Sequence, residues 1–286
     1  MFTRFSMYFN NLENSNSLYL QQHATNPVHW QNWDENLLKN NITGNRLLVI
    51  SIGYSSCHWC HVMEEESFED AEVASVMNEH FISFKVDRET RPDLDSRYMS
   101  ALQLMTGTGG WPLNIIALPD GTPVFGGTYF SKPDWIATLQ QVSALWKKEP
   151  QQVLDYGVQM QAGMAEMIQV SLTPMKDRFR KEDFDDVVNF WMRTIDPIHG
   201  GPNGSPKFPM PSNYSFLLDY SLHSGNAAAL EHTLLSLQKM ALGGMYDWIH
   251  GGMTRYSTDR YWKVPHFEKM LYDNAQLLGL YARASR

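Results

Sequence analysis

Residues 46–61 read R-L-L-V-I-S-I-G-Y-S-S-C-H-W-C-H, and they are the most informative stretch of the chain. The apolar run at 46–52 is continuous and ends at a glycine, which predicts a buried strand. Cys57 and Cys60 follow this strand at once, and the residues after them have a helical pattern. A strand that leads through a tight loop into Cys-x-x-Cys and a helix is typical of a redox-active dithiol.

The first cysteine of the pair is predicted to lie at the N-terminus of the helix. Free N–H groups and the helix dipole favour a thiolate there, so we expect Cys57 to be the attacking sulfur at neutral pH. Cys60, one turn on, then resolves the mixed disulfide. His58, Trp59 and His61 are supporting candidates. The two histidines favour the thiolate further when they are protonated. We also expect Cys57 to be more exposed than Cys60.

Three other interpretations of the pair stay open. The string C-H-W-C-H at 57–61 matches the attachment site of a c-type haem. Cys57, Cys60 and a nearby histidine could hold zinc, although the sequence has no second ligand pair at metal spacing. The two cysteines could also be buried and inert. A disulfide framework is excluded because the chain has two cysteines, both in this motif. We expect no metal and no cofactor.

The composition is that of a globular protein. Of the 286 residues, 43% are hydrophobic and 19% are charged, so a sizeable core can be buried and wholesale disorder is excluded. The net charge of −8 argues against a partner of duplex nucleic acid. No apolar run approaches the roughly 20 residues that span a bilayer, and the start of the chain is too interrupted for a signal peptide. We predict a soluble, cytoplasmic protein with no nucleic-acid or membrane partner.

The order of the predicted elements divides the chain into two parts. After an Asn- and Ser-rich stretch at 1–17, which has the composition of a polar tail, strands alternate with helices. From residue 181 onward the pattern predicts helices only. We place the boundary in 171–180, which gives domains 1–172 and 173–286, an α/β domain followed by an all-α region.

Longer motifs form a recognisable set along residues 17–282. They are N-P-V-H-W (26–30), S-I-G-Y-S-S-C-H-W-C-H-V-M (51–63), E-S-F-E-D (66–70), V-D-R-E-T-R-P-D-L-D (86–95), G-G-W-P-L (109–113), F-G-G-T-Y-F (125–130), P-K-F-P (206–209) and V-P-H-F-E-K-M-L-Y-D (264–273). This set resembles the spermatogenesis-associated, thioredoxin-domain proteins, a family also found widely in bacteria and archaea.

The resemblance implies two domains of different kinds. The first is thioredoxin-like, and the second is an (α/α)6 barrel similar to N-acylglucosamine 2-epimerases and six-hairpin glycosidases. Six helical hairpins need more chain than follows position 180. We therefore expect this chain to carry only the opening helices of an incomplete barrel.

The resemblance also assigns residues around the cysteine motif. Thioredoxin-fold proteins have a cis-proline opposite the motif, and Trp111-Pro112 stands in that place. Thioredoxin itself has a buried carboxylate on the strand before the motif, where this chain has Ser51. The proton acceptor for Cys60 is therefore open, with His61 or Glu64 as the substitutes.

A second cluster of polar residues lies in the glycine-rich segment 243–273. Aromatic residues beside carboxylates suit sugar rings, paired carboxylates can act on a glycosidic bond, and a histidine can abstract a proton for epimerisation. The alternative is that the charged residues form local ion pairs at helical spacing. The candidates for a sugar site are Asp247, His250, Arg255, Asp259, His266 and Glu268.

Thiol–disulfide exchange is the function that the sequence favours, with a protein dithiol or disulfide, or a reductase, as partner. One alternative is a carbohydrate-active enzyme, epimerase- or glycosidase-like, in which the thioredoxin-like domain is regulatory and the full-length barrel binds a sugar. The other alternative is a non-catalytic module whose cysteine pair senses the redox state.

Overall fold

The computed structural model describes residues 9–169 and 180–286, apart from the side chains at 42–44 and 168. Among the helices of the two described ranges, none has both the length and the apolar character needed to cross a membrane. The chain divides into two compact units, Met1–Ser171 and Leu172–Arg286. Except for Arg180, the predicted boundary lies outside the described residues.

The first unit is built on a five-stranded sheet with the strand order β1-β3-β2-β4-β5. The strands are β1 (Trp30–Gln31), β2 (Leu47–Gly53), β3 (Phe81–Asp87), β4 (Leu113–Ala117) and β5 (Pro123–Gly127). β1, β2 and β3 run parallel to one another, whereas β4 pairs antiparallel with both β2 and β5. This mixed sheet is the thioredoxin-like α/β arrangement that the sequence predicts.

Every residue of β2 and β3 is buried, which explains the continuous apolar run of β2. Helices cover both faces of a central parallel strand, so all of its side chains enter a core. Ile50, Phe84 and Ile115 belong to one such cluster on adjacent strands. Polar residues also stand in these strands, Ser51 on β2 and Ser83, Lys85 and Asp87 on β3. Ser51 and Lys85 are register partners.

Helices begin and end at the signals that the sequence carries. Asp70 accepts hydrogen bonds from the backbone N–H groups of Glu72 and Val73 and caps the fourth helix. Gly107 ends the fifth helix in the left-handed region, with φ 74°. The helices of this unit are α1 (Leu18–Gln22), α2 (Glu35–Gly44), α3 (His58–Met63), α4 (Ala71–His80), α5 (Pro92–Thr106), α6 (Lys132–Lys148) and α7 (Pro150–Ile168), with a π-helical turn at Glu64–Phe68.

The stretch that reads as a polar tail is part of the fold from residue 9 onward. Leu12 is fully buried. The Asn10 side chain donates to the carbonyl oxygens of His23 and Asn26, at 2.9 and 3.2 Å. The expectation of a polar tail is wrong for these residues. The side chain of Asn10 donates to backbone carbonyl oxygens of the folded chain and not to water.

The second unit is mainly helical, as predicted. Its core contains the fully buried Trp262 and aliphatic residues of the four helices, such as Leu217 and Leu280. The glycine-rich segment also contains two short paired strands, which the prediction of an all-α region did not include. The elements are α8 (Lys181–Trp191), α9 (Pro211–Ser224), α10 (Ala227–Leu242), β6 (Tyr256–Ser257), β7 (Pro265–His266) and α11 (Leu271–Ala284).

A buried ion pair ties the loops of the second unit together. The Nζ atom of Lys207 lies 3.0 Å from Asp196 Oδ2 and donates to the carbonyl oxygen of Gly200 at 2.7 Å. The side chains of Lys207 and Asp196 are 0% and 1% exposed. Arg260 adds a second, half-exposed partner to Asp196, at 3.2 Å. Lys207 therefore has a structural role in this unit.

Candidate active site

The two cysteines form a disulfide at the start of α3. Cys57 is the N-cap residue of that helix, and its sulfur accepts a hydrogen bond from the backbone N–H of Cys60 at 3.2 Å. Both cysteines are 1% exposed, so the expectation of a more exposed Cys57 is wrong for this oxidised state. In a disulfide each sulfur covers part of the other, which removes the difference expected between two free thiols.

The surface beside the disulfide is aromatic. Trp59, which stands between the cysteines in the sequence, is 46% exposed. Its ring centroid lies 5.4 Å from that of Tyr129 and 5.5 Å from that of His58. The hydroxyl of Tyr129 donates to Glu66 in the π-helical turn. An exposed tryptophan beside a reactive bond offers a flat apolar contact to a partner chain.

The peptide bond between Trp111 and Pro112 is cis, as predicted. β4 begins at the next residue, Leu113, which is the register partner of Ile52 at the end of β2. Pro112 therefore lies at the edge of the sheet where the loop to the cysteine motif also starts.

Trp111 is held in place by a charged pair. Its indole N–H donates to Asp95 Oδ1 at 2.7 Å, and the Arg88 guanidinium carbon lies 4.0 Å from the centroid of its ring. Arg88 also pairs with Asp95, Nε to Oδ2, at 3.3 Å. The ring of Tyr54 meets the same indole edge to face, with centroids 6.0 Å apart. These contacts fix the indole beside Pro112.

His61 and Glu64, the two predicted substitutes for the missing carboxylate, lie in different surroundings. The His61 ring is bound to the loop before the motif, since Nε2 donates to the carbonyl oxygen of Ser55 at 2.8 Å. Glu64 is buried under the motif, and its Oε2 lies 3.6 Å from His61 Nδ1.

Glu64 belongs to a buried polar cluster that reaches the N-terminal segment. His23 Nδ1 lies 2.8 Å from Glu64 Oε1, and Asn26 donates to the same oxygen at 3.2 Å. Burial lowers the pKa of His23 to about 4, so the ring is neutral at pH 7 and donates to Glu64. Burial also acts to raise the pKa of Glu64, but the bonds from His23 and Asn26 and the charge of Lys85 outweigh it and lower that pKa.

Lys85 brings an amine into the same cluster. Its Nζ lies 4.3 to 5.2 Å from the ring centroids of Phe68, Trp30 and Tyr19. It donates to the hydroxyl of Ser51 at 3.1 Å. Burial lowers the pKa of Lys85 to about 7, although the charge of Glu64 opposes the shift. A lysine with this pKa can give up or take a proton near neutral pH.

The candidate sugar-site residues make local contacts in separate groups. Arg255 pairs with Glu268, Nη1 to Oε2, at 3.0 Å, and His266 Nδ1 lies 3.4 Å from the other oxygen of Glu268. Asp259 accepts hydrogen bonds from three backbone N–H groups of its own loop. Each carboxylate is thus engaged by a partner within the segment.

The remaining two candidates form another group. Asp247 pairs with Lys269 at 2.5 Å and accepts from the backbone N–H of His250 at 3.0 Å. The hydrogen bond from Lys269 holds the pKa of Asp247 well below its usual range. The His250 side chain is 79% exposed. The charged residues of this segment form ion pairs, but Arg255–Glu268 and Lys269–Asp247 join residues far apart in the sequence and not at helical spacing. These contacts lend no support to a sugar site, which stays a prediction.

A comparison with known protein families finds a match over most of the first unit. The family model Thioredox_DsbH, described as "Protein of unknown function, DUF255", matches residues 9–165, more than half of the chain. The chain belongs to this family. The match covers the N-terminal segment from residue 9, the whole sheet and the cysteine motif.

Curated relatives confirm the resemblance to the spermatogenesis-associated proteins. Spermatogenesis-associated protein 20 of Homo sapiens is 38% identical over 96% of this chain and 36% of its own length. An uncharacterized protein of Caenorhabditis elegans is 37% identical over 97% of this chain and 39% of its own length. This chain therefore spans less than two fifths of the length of these relatives.

Solved structures match a smaller part of this chain than the curated relatives do. A structure titled "DsbH Oxidoreductase" matches 41% of this chain and 85% of its own, with 15% identity and a TM-score of 0.33. A thioredoxin from Thermus thermophilus matches 42% of this chain and 89% of its own, with 17% identity and a TM-score of 0.33.

Three residues under the cysteine motif, Tyr19, His23 and Lys85, were not predicted from the sequence. Two of them precede the motif by more than 30 residues, and no local pattern links them to it. Lys85 carried a usable signal, since it is a lysine inside the apolar strand F-I-S-F-K-V-D at 81–87. A lysine at a buried strand position needs a partner or a shifted pKa.

Proposed function

We propose that the first unit catalyses thiol–disulfide exchange with protein substrates. The observation that carries the proposal is the Cys57–Cys60 pair at the start of α3, which follows the buried strand β2. The exposed ring of Trp59 supports a protein as the partner, since it offers a contact to a chain that reaches the pair.

The exchange follows from the order of the two sulfurs along α3. In the reduced form the Cys57 thiolate attacks one sulfur of a substrate disulfide, and the substrate's other sulfur leaves as a thiolate that takes up a proton. Cys60 then loses its proton and attacks the Cys57 sulfur of the mixed disulfide. The second substrate sulfur leaves and is protonated in turn, so two electrons and two protons pass to the substrate. The reverse sequence oxidises a dithiol.

Helix geometry favours Cys57 as the attacking sulfur. Its sulfur already accepts the N–H of Cys60 in the first turn of α3. Hydrogen bonds from backbone N–H groups stabilise a thiolate more than a thiol. Cys60 lies one turn further into the helix, so its sulfur is not at the N-terminus of α3.

Insulin reduction by the full chain tests the proposal, with Cys57→Ser and Cys60→Ser as matched variants. The chain has two cysteines, so every thiol signal belongs to this pair. We expect turnover by the wild type, no exchange by Cys57→Ser, and a trapped mixed disulfide with Cys60→Ser. Slow and equal alkylation of both sulfurs, without turnover, would overturn the proposal in favour of inert cysteines. A pair that titrates reversibly without turnover would instead indicate the redox-sensing module.

A further inference from the structure

The short helix α1 is fastened at both ends beneath the cysteine motif. At its start, the hydroxyl of Ser17 donates to Asp87 Oδ2 at 2.6 Å and accepts from the backbone N–H of Leu20 at 3.2 Å. At its end, the ring of His23 is bound to Glu64. Because β3 and the π-helical turn hold these two partners, the position of Tyr19 between them is fixed.

The hydroxyl of Tyr19 and the sulfur of Cys60 lie against the same glycine. A Cβ atom on Gly53 would lie 2.3 Å from Tyr19 Oη and 2.7 Å from Cys60 Sγ, so both groups face this position. Tyr19 is 0% exposed. Within the part of the chain that the structure describes, its hydroxyl has no hydrogen-bond partner. A buried hydroxyl without a partner is costly and calls for a function.

The groups around Tyr19 keep its hydroxyl protonated. Burial, followed by the negative charges of Glu64 and Asp87, raises the pKa of Tyr19 well above its ordinary value. Lys85 is the cation of the cluster, with Nζ 5.2 Å from the centroid of the Tyr19 ring. His23 and His61 are the other titratable neighbours, through their contacts with Glu64. A neutral phenol in this position has a proton to donate.

We infer that Tyr19 donates a hydrogen bond to the Cys60 sulfur once the disulfide is open, and so stabilises the Cys60 thiolate that resolves the mixed disulfide. The inference rests on the proposed function, whose second step needs this thiolate. In that step the Cys60 S–H loses its proton, a new bond forms between Cys60 and Cys57, and the bond from Cys57 to the substrate breaks. The departing substrate sulfur takes up one proton, which balances the one lost by Cys60. Tyr19 keeps its own proton, and its hydrogen bond to the reacting sulfur in this step makes it a catalytic residue.

The resolving step can be measured by itself with 5,5′-dithiobis(2-nitrobenzoate). One equivalent reacts with the reduced chain and releases a first coloured thiolate as Cys57 attacks. A second is released when Cys60 closes the disulfide. For Tyr19→Phe, which keeps the ring and loses the hydroxyl, we expect the second release to slow roughly ten- to hundredfold, the value of a hydrogen bond to a charged group. The midpoint of its pH profile should rise by about one to two pH units.

Tyr98→Phe is the matched control. Tyr98 is also fully buried, and its hydroxyl donates to the carbonyl oxygen of Gly121 at 3.0 Å, away from the cysteines. This variant should leave both releases unchanged. A normal first release with an unchanged second release in Tyr19→Phe would overturn the inference about Tyr19. A wild type that gives no rapid first release would overturn the proposed function itself, and the inference with it.

Discussion

Lys85 donates a 3.1 Å hydrogen bond to Ser51, its register partner on the neighbouring strand, in the middle of the buried sheet. Ser51 stands where thioredoxin has a carboxylate, so the cluster under the cysteines has its anion elsewhere, on Glu64. The charge of Glu64 acts on Lys85, His23 and Tyr19 alike. The proton chemistry of this site is therefore shared between α1, β3 and the π-helical turn.

Lys85 makes the stability of the chain depend on pH. Its pKa is about 7 in the folded chain and 10.5 without burial. Between these values the unfolded chain binds more protons at this residue, so the free energy of unfolding rises with pH, by about 1.4 kcal/mol per pH unit at most. Lys85→Met removes the amine, and we expect it to flatten this rise. Urea unfolding at about pH 7 and pH 9.5 measures the difference.

Lys148→Met is the control for that series. Lys148 has an 83% exposed side chain, so its removal should leave the pH dependence as in the wild type. The prediction fails if the wild type and Lys85→Met gain the same stability between the two pH values.

Tyr19 and Cys60 both pack against Gly53, and we expect Gly53→Ala to be destabilising. The added methyl group would meet Tyr19 Oη at 2.3 Å and Cys60 Sγ at 2.7 Å, so one of these groups has to move. Overpacking of this kind costs about 1–3 kcal/mol, and thermal unfolding of the oxidised chain measures it. Gly279→Ala, in α11 with nothing within 4 Å of the new methyl group, is the control and should be neutral or stabilising. Equal unfolding midpoints of Gly53→Ala and the wild type would contradict the prediction.

Local patterns account for the parts of the site that the sequence predicted. An apolar run, a Cys-x-x-Cys string and a following helix lie within 20 residues, so β2, Cys57 and α3 could be placed from one stretch. The resemblance to a known family added the cis bond before Pro112, which no propensity reveals.

Tertiary contacts account for what the sequence did not predict. Tyr19 and His23 sit in a short helix whose own pattern is too brief to recognise. Their role appears when the hydrogen bonds from Ser17 to Asp87 and from His23 to Glu64 bring α1 under the motif. The equal burial of the two cysteines is also a property of the disulfide, which a sequence does not specify.

Lys207 stabilises the second unit, and we expect its loss to be costly. Lys207→Met would leave Asp196 buried with the half-exposed Arg260 as its remaining cation. Removing one partner of a buried pair costs about 3–5 kcal/mol. Hydrogen exchange should then show faster opening in α9 and α10, while Lys263→Met, at an exposed lysine in the same unit, should behave as the wild type. Unchanged protection of these helices in Lys207→Met would show that the pair contributes little.

A substitution at Trp59 should affect a protein substrate and a small disulfide differently. Its half-exposed ring contacts Tyr129 beside the cysteines but makes no part of the sulfur chemistry itself. We expect Trp59→Ala to lower kcat/KM for insulin about tenfold, since an aromatic anchor at an interface is worth about 1–2 kcal/mol or more. The first release from 5,5′-dithiobis(2-nitrobenzoate) should stay close to the wild-type rate, because this probe is too small to need the ring. Trp248→Ala, at a tryptophan that is 71% exposed in the second unit, should change neither rate. A loss of equal size on both substrates would mean that Trp59 supports the geometry of the cysteine motif and does not contact the protein substrate.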